Sequence, residues 1–226
     1  MARRSRVHRW STIERELRAT GGLLIAGIDE VGRGPLAGPV VACAVIMPPG
    51  VRALPGVDDS KKLTAATRER LAHRIREHAL AIALGAASAR EVDRHNIYHA
   101  TVIAMRRALA RLAIPADHVL VDGTALATLG IAHTAVVKGD TKCYAIACAS
   151  IVAKVTRDRL MHALARRHPA YGWERNAGYG TAEHLAALAR FGSTRHHRAS
   201  FAGVSPQPAD PAGVVGAPTR AAGTVP

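Results

Sequence analysis

Short apolar runs recur along the chain, separated by longer segments in which apolar and charged residues alternate at helical spacing. Apolar runs of this length that are rich in Val, Ile and Leu are typical of buried strands. They predict strands at residues 23–28, 40–47, 80–87, 118–123 and 134–140. The helical spacing predicts helices at residues 11–20, 64–79, 97–112, 142–167 and 181–191, with Thr64 as an N-cap.

The order of these elements predicts an α/β fold, with a mixed central sheet flanked by helices and a helical extension at the C-terminal end. Two strands come before the first long helix, which favours early antiparallel pairing followed by parallel crossovers. The 226 residues suit one domain. We expect a basic N-terminal extension at 1–20, the folded domain with its C-terminal helices at 21–202 and a disordered tail rich in Pro, Ala and Gly at 203–226.

The chain carries 31 basic and 17 acidic residues, a formal net charge of +14. Such an excess favours a polyanionic partner, mainly nucleic acid or an anionic membrane surface, although a basic surface kept for solubility is the alternative. No apolar run reaches the roughly 18 residues that cross a bilayer, and no signal core follows the basic start. Three cysteines without metal-ligand spacing, and the pair His196-His197 taken as solvated, add no metal site. We expect a cytoplasmic protein.

Acidic residues end three of the predicted strands: the pair Asp29-Glu30, then Asp122 and Asp140. Functional groups gather at strand ends in open α/β sheets, so these four carboxylates are expected to converge. Their repulsion would be relieved by two divalent ions, Mg²⁺ or Mn²⁺, about 4 Å apart, which form a phosphoryl-transfer centre. Taken singly, Asp122 before Gly123 is also a turn signal, and Asp140 is also a candidate N-cap.

A glycine-rich turn follows the first acidic pair. Residues 32–37 fit the dinucleotide-binding pattern of three spaced small residues after a strand. That pattern requires a helix to begin within the turn, with its N-terminus on a pyrophosphate. Here Gly38-Pro39 and the β-rich run 40–46 follow instead. The sequence therefore argues against a dinucleotide site.

Several segments resemble bacterial ribonuclease HII, in the order of that family. They cover residues 23–201 and include the motifs at 29–40, 59–63, 121–123, 138–140, 149–158 and 178–181. The resemblance implies a ribonuclease H-like fold and an endonuclease that hydrolyses the RNA strand of RNA–DNA hybrids. It also implies incision 5′ of single ribonucleotides embedded in duplex DNA, leaving 5′-phosphate and 3′-hydroxyl ends.

The same resemblance assigns residues. Asp29, Glu30, Asp122 and Asp140 are the expected catalytic acids and the ligands of two Mn²⁺ or Mg²⁺ ions. The turn Gly32-Arg33-Gly34 and Tyr179 resemble the readers of the RNA-to-DNA junction, although Tyr179 is otherwise a core or turn tyrosine. The candidate phosphate contacts are basic residues: Lys61, Lys62, Lys154 and Arg157. For Lys154 and Arg157 an ion pair with Asp158 along the helix is the alternative.

The chain departs from the family at Asn176-Ala177, where a His-Lys pair is usual, so one positive charge near the substrate is lost. The expected partners are RNA–DNA hybrid and ribonucleotide-containing duplex DNA, with no membrane. We expect a monomer and leave contact with a replication clamp open. Two alternatives also stay open: a related ribonuclease H that needs stretches of RNA, and a non-catalytic nucleic-acid-binding protein on this fold.

Overall fold

A computed structural model describes residues 11–21 and 23–204, and the described strands form one sheet. The strands are β1 Ile25–Val31, β2 Val40–Ile46, β3 Ala81–Ala87, β4 His118–Asp122 and β5 Thr134–Val136. The helices are α1 Thr12–Ala19, α2 Ala65–His78, α3 Ala89–Ala110, α4 Gly139–Lys142, α5 Tyr144–Arg167, α6 Trp173–Asn176 and α7 Ala182–Phe191. Single 3₁₀ turns lie at Ser60–Lys62, Ala127–Leu129 and Pro169–Tyr171.

The strand order in the sheet is β3-β2-β1-β4-β5. Strand β2 pairs antiparallel with β1 and β3, whereas β4 pairs parallel with β1 and β5. The predicted mixed sheet, with antiparallel pairing first and parallel crossovers later, is confirmed. Because β1 and β4 are parallel neighbours, their carboxyl ends lie side by side, and this edge collects the predicted acids.

Helices cover both faces of the sheet. Helix α3 packs on one face in a cluster with Ala26, Ile28 and Val121, while α5 and α2 pack on the other face with Cys43 and Val45. Helix α5 crosses β1 at Gly27, where a Cβ atom would lie 2.2 Å from the Ala145 carbonyl carbon. Glycine is therefore required at this crossing, which brings the start of α5 directly against the strand that carries Asp29.

The helical part of the predicted N-terminal extension is packed against the domain. Ser11 caps α1, whose Ile13 and Leu17 lie against a cluster that contains Ile25. The buried carboxylate of Glu14 accepts hydrogen bonds from the amides of Tyr144 and Ala145, at 3.1 and 2.8 Å. An acid at this position satisfies amides that the first turn of α5 leaves free. Residues 1–10 and the predicted tail from residue 205 lie outside the described residues.

Two helix boundaries differ from the sequence expectation. Helix α3 begins at Ala89, earlier than predicted, because Ser88 and Glu91 form a capping box; it then kinks at Asn96, where φ is 63°. The expected helix at 142–167 is divided at Cys143, which has extended backbone and separates the short α4 from α5. Among the described residues, no helix is long and apolar enough to span a bilayer.

Candidate active site

The four predicted acids come from neighbouring elements at one edge of the sheet. Asp29 and Glu30 lie near the end of β1, Asp122 is the last residue of β4, and Asp140 is in α4, which follows β5. The parallel register pairs Ile28 with Val121, so Asp29 and Asp122 follow on adjacent strands. The amide of Gly139 donates to Asp122 Oδ1 at 2.6 Å, which ties the start of α4 to the end of β4.

Electrostatic interactions show that the acids lie close together. Burial raises the pKa of Asp29 well above its usual value, and the charges of Glu30 and Asp122 raise it further. Burial also raises the pKa of Glu30 and of Asp140, and the Asp122 charge adds to both shifts. Asp122 therefore repels each of the other three carboxylates. Such repulsion disfavours four ionised groups unless cations lie among them.

Two basic side chains already lie beside the acids. Lys61 Nζ is 3.5 Å from Asp140 Oδ2, and Arg33 Nη1 is 3.3 Å from Glu30 Oε1. Partial burial lowers the pKa of Lys61, but the nearby carboxylates, Asp140 first, raise it more and leave it above its ordinary value. An ammonium group attracted to this edge shows that the local field favours positive charge.

The donor chemistry fits a divalent metal. Carboxylate oxygens are hard ligands of the kind that Mg²⁺ and Mn²⁺ prefer, and the field at this edge is negative. In residues 11–21 and 23–204, no three Asp, Glu, His or Cys side chains already surround one point at ligand spacing. Small side-chain movements would therefore have to bring the carboxylates together around an ion.

The alternatives for Asp122 and Asp140 have different outcomes. Asp122 does precede a turn, because Gly123 adopts φ 89°. The N-cap interpretation of Asp140 is wrong, since α4 is capped by Lys138 at φ 58° with no capping side chain, and Asp140 is inside the first turn. Nothing in the local hydrogen bonding of α4 therefore accounts for this nearly buried acid.

The glycine turn and Tyr179 meet beside the acids. Gly32 has φ 90° and is buried, while Arg33 and Gly34 are exposed. A Cβ atom on Gly34 would lie 3.6 Å from the Tyr179 ring, so the two predicted readers are in contact range. Tyr179 is 48% exposed, which excludes the core alternative for it. Together they form an exposed surface next to the carboxylates.

The predicted phosphate contacts separate into two groups. Lys61 and Lys62 both have exposed side chains: Lys61 lies beside Asp140, and Lys62 lies 3.5 Å from Asp58, so a phosphate backbone can reach both. Lys154 Nζ donates to Asp158 Oδ1 at 2.7 Å, the helix ion pair that the sequence left as the alternative. Arg157 is fully buried and donates to three backbone carbonyls, so the expectation that it contacts phosphate directly is wrong.

The substituted pair Asn176-Ala177 shapes the loop before Tyr179. The buried Asn176 donates to the carbonyl of Tyr171 at 2.7 Å and accepts from the amide of Gly178 at 2.8 Å. Ala177 adopts φ 48°, which is uncommon without a glycine. Asn176 therefore holds the loop from the inside, and only position 177 accounts for the lost charge.

Arg198 and His197 have places in the structure that the sequence did not predict. Both are buried, and Arg198 donates to carbonyls of the glycine turn. The only available signal was the basic triplet at 196–198, which pattern reasoning assigns to solvent. Burial there is decided by packing against segments far away in the sequence.

His197 belongs to a buried ring network behind Tyr179. The amide of Thr194 donates to His197 Nδ1 at 2.8 Å, so the neutral ring carries its proton on Nε2 and donates to His184 Nε2 at 3.0 Å. His184 Nε2 also accepts from Trp173 Nε1 at 3.1 Å, and its Nδ1 donates to the carbonyl of Tyr179 at 2.8 Å. These contacts fit neutral histidines, with the single lone pair of His184 Nε2 shared between the donors of His197 and Trp173.

This network predicts acid sensitivity of the fold. Burial and the neighbouring His184 lower the pKa of His197 from 6.5 to about 4. The pKa of His197 is lower in the folded state than in the unfolded state. The contribution of neutral His197 to the free energy of unfolding is therefore complete above pH 6.5 and decreases by up to about 3 kcal/mol as the pH falls toward 4. Burial also lowers the pKa of His168, His184 and His196, which acts in the same direction.

Urea unfolding at pH 7.5, 6, 5 and 4.5 measures the effect. His197→Gln should be less stable at pH 7.5 but should show a weaker dependence of the unfolding free energy on pH. The matched control is His95→Gln, at an exposed histidine, which should retain the wild-type dependence. An unchanged free energy of unfolding between pH 7.5 and 4.5 in the wild type would contradict the neutral network.

Comparisons with known proteins agree with the geometry. The family model described as Ribonuclease HII matches residues 26–204. A ribonuclease HII from Rhodospirillum rubrum is 59% identical over 192 residues, which cover 83% of this chain and 87% of that protein. Ribonuclease H2 from Pyrococcus horikoshii OT3 has a similar structure, with a TM-score of 0.66 and 25% identity over 80% of this chain and 94% of that one. A structure of the PCNA:RNase HII complex from Archaeoglobus fulgidus is also similar, with a TM-score of 0.65 and 25% identity, over 79% of this chain and 95% of that one.

Proposed function

Because the chain belongs to the ribonuclease HII family and is therefore a ribonuclease H acting on RNA–DNA hybrids, we propose that it also incises duplex DNA 5′ of single embedded ribonucleotides. The observation that carries this proposal is that the acids at the end of β1 and the exposed glycine turn follow one another directly in the chain. Asp29 and Glu30 on β1 lead directly into the exposed Arg33 and Gly34. A cutting centre and a surface suited to reading one sugar are thus only a few residues apart.

We assign the four acids to metal binding. Asp29, Glu30, Asp122 and Asp140 would hold two divalent ions, Mn²⁺ or Mg²⁺. When bound, such ions supply activation of the attacking water and stabilisation of the leaving 3′ oxygen, which gives 5′-phosphate and 3′-hydroxyl ends. Asp122, which interacts with all three other acids, keeps the start of α4 in place through the Gly139 amide.

The exposed turn and Tyr179 would select the substrate. A 2′-hydroxyl is the group that distinguishes RNA from DNA at one nucleotide, and backbone amides of the turn are suitable partners for it. The half-exposed Tyr179 ring could stack on the neighbouring sugar or base. Lys61 and Lys62 would contact phosphates without reading sequence.

Incision of a defined duplex tests the proposal. A DNA duplex with one ribonucleotide should be cut on its 5′ side when Mn²⁺ or Mg²⁺ is present, and EDTA should abolish the cut because uncompensated carboxylates would repel the phosphate. The control duplex has the same sequence with deoxyribonucleotides only and should stay intact. Cleavage of a long RNA–DNA hybrid without incision at the single ribonucleotide would refute the single-site activity while leaving the hybrid activity in place.

Partners beyond the substrate remain predictions for this chain. The Archaeoglobus fulgidus relative was solved in a complex with PCNA. We propose that this chain acts in the cytoplasm as a monomer, and we leave a corresponding clamp contact as a question for binding experiments.

A further inference from the structure

Two arginines lie buried directly behind the glycine turn. Arg157 and Arg198 are both 0% exposed, although arginine is seldom fully buried in proteins. Arg198 donates to the carbonyls of Gly32 at 2.5 Å, of Arg33 at 2.8 Å and of Gly38 at 2.9 Å. One guanidinium group therefore holds both sides of the turn.

Arg157 links the same turn to the loop that carries Tyr179. It donates to the carbonyls of Ala37 and Pro39, at 3.1 and 3.0 Å, and to that of Ala177 at 2.9 Å. Backbone bonds reinforce the link, since the Gly178 carbonyl accepts from the amides of Leu36 and Ala37. We call the segments 32–39, 177–180 and 196–198, together with the Arg157 side chain, the reading unit.

The direction of the held carbonyls fixes the direction of the amides. Across a planar trans peptide, the carbonyl of one residue and the amide of the next point to opposite sides. With the Gly32 and Arg33 carbonyls turned inward to Arg198, the amides of Arg33 and Gly34 are turned outward. Within the described part of the chain, neither of these two amides has a hydrogen-bond acceptor. Successive outward amides of this kind bind oxygen atoms of a ligand.

Among residues 11–21 and 23–204, no acidic side chain forms an ion pair with either arginine. Their hydrogen bonds all go to neutral carbonyls. Burial, together with the charge of Arg157, lowers the pKa of Arg198 to about 10. Asp93 counteracts this only from a distance, because its oxygens accept from the amides of Ala199 and Ser200. Burying two cations without ionised partners costs free energy, which the hydrogen bonds to the carbonyls only partly offset, and both charges add positive potential behind the substrate surface.

We propose that Arg157 and Arg198 are positioning residues that determine discrimination for a ribonucleotide, by holding the outward amides of the turn and the Tyr179 loop in one fixed arrangement. The inference rests on the proposed function, because it concerns how that surface distinguishes RNA from DNA. Neither arginine touches the substrate. Each acts through the backbone that it holds.

The steric environment of the turn supports this assignment. A Cβ atom on Gly32 would lie 2.1 Å from Arg157 Nε, and one on Gly38 would lie 2.3 Å from Met161 Sδ. A Cβ on Gly178 would lie 2.5 Å from the Ala37 carbonyl oxygen. The glycines thus allow the segments of the reading unit to pack closely against one another. A turn that needed glycine only for its backbone conformation would not show these close contacts with other segments.

Binding measurements on Arg198→Lys test the proposal. Lysine keeps the charge, but its compact ammonium cannot span the carbonyls that the planar fork reaches. Fluorescence anisotropy with the full chain in EDTA, where no turnover occurs, gives the affinity ratio between a duplex with one ribonucleotide and the all-DNA duplex. We expect the wild type to bind the duplex with the ribonucleotide more tightly. In the variant the affinity ratio should be about tenfold lower, a change that corresponds to the free energy of about one charge-assisted hydrogen bond.

A control and a milder variant make the outcome decisive. Arg106→Lys changes another arginine that donates to a carbonyl, that of Leu129 at 2.8 Å, and should keep the wild-type ratio. If Arg198→Lys does not fold, the same affinity ratio is measured for Asp93→Asn. This substitution weakens the hydrogen bonds that hold the segment after Arg198 and should lower the ratio about threefold, a loss of under 1 kcal/mol.

An unchanged ratio in a folded Arg198→Lys, or in Asp93→Asn if that variant must decide, would overturn the inference. So would a wild-type ratio near one. Absence of any incision by the wild type with Mn²⁺ or Mg²⁺ would instead overturn the proposed function, so the two failures are distinguishable.

Discussion

Asp122→Asn is expected to lower the cleavage rate by about a thousandfold or more, equivalent to the several kcal/mol that metal assistance contributes to such reactions. Asp122 is the acid whose charge raises the pKa of Asp29, Glu30 and Asp140. An amide removes that charge and is a weaker ligand for a hard cation. It keeps an oxygen that can accept from the Gly139 amide, so the fold should be maintained. Duplex binding should therefore change only a few-fold.

Two further measurements separate a lost metal site from a lost fold. Addition of Mn²⁺ should raise the thermal midpoint of the wild type, because a ligand bound to the folded state stabilises it, and should raise that of Asp122→Asn much less. The control is Asp158→Asn, at an acid that already pairs with Lys154, and it should keep most of the activity. If Asp122→Asn still cleaves at the wild-type rate, the acids have been misassigned.

Gly27→Ala is expected to lower the free energy of unfolding by more than about 3 kcal/mol, at the upper end of overpacking effects. The added Cβ would lie 2.2 Å from the Ala145 carbonyl carbon and 2.4 Å from the Ile146 nitrogen. These are backbone atoms of α5, which cannot turn aside as a side chain can. The clash can be relieved only if α5 moves away from β1. That movement also displaces Asp29, which is two residues after Gly27 on the same strand.

Urea unfolding followed by circular dichroism measures the Gly27→Ala effect. Gly50→Ala is the matched control, because a Cβ there meets open space and only the positive φ of 78° disfavours alanine. Its expected cost is about 1 kcal/mol. Equal destabilisation by the two substitutions would show that the close crossing of α5 and β1 is not a determinant of stability.

Local patterns predicted the elements well where a single face or a full apolar run is buried. Strand β3 begins one residue after the predicted start, and Thr64 caps α2 as expected. The early start of α3 was missed although Ser88 and Glu91 carry its signal, since the apolar pattern is weak before the kink at Asn96. The spacing of apolar residues indicates which residues face the core. It does not indicate where a helix begins when side-chain hydrogen bonds define that end.

The candidate site divides in the same way. The four acids were proposed from the sequence because each follows or ends a strand-like run, and the glycine turn because it follows Asp29-Glu30. For Arg157 the sequence predicted a phosphate contact, and the structure instead buries its guanidinium among carbonyls of residues 37, 39 and 177. Helical position alone cannot distinguish the two, because the partners come from other segments.

By itself the sequence determined the order of the main strands and helices, the placement of four candidate acids at or just after strand-like runs, and the position of the exposed turn, because covalent neighbours and periodic burial set these locally. Only the tertiary structure decided that the charge of Asp122 acts on all three other acids, and that Arg198 holds the Gly32 carbonyl across 166 positions in the chain. The physical reason is that burial of a polar or charged group depends on which partners the fold brings within hydrogen-bond distance. No local pattern encodes those partners.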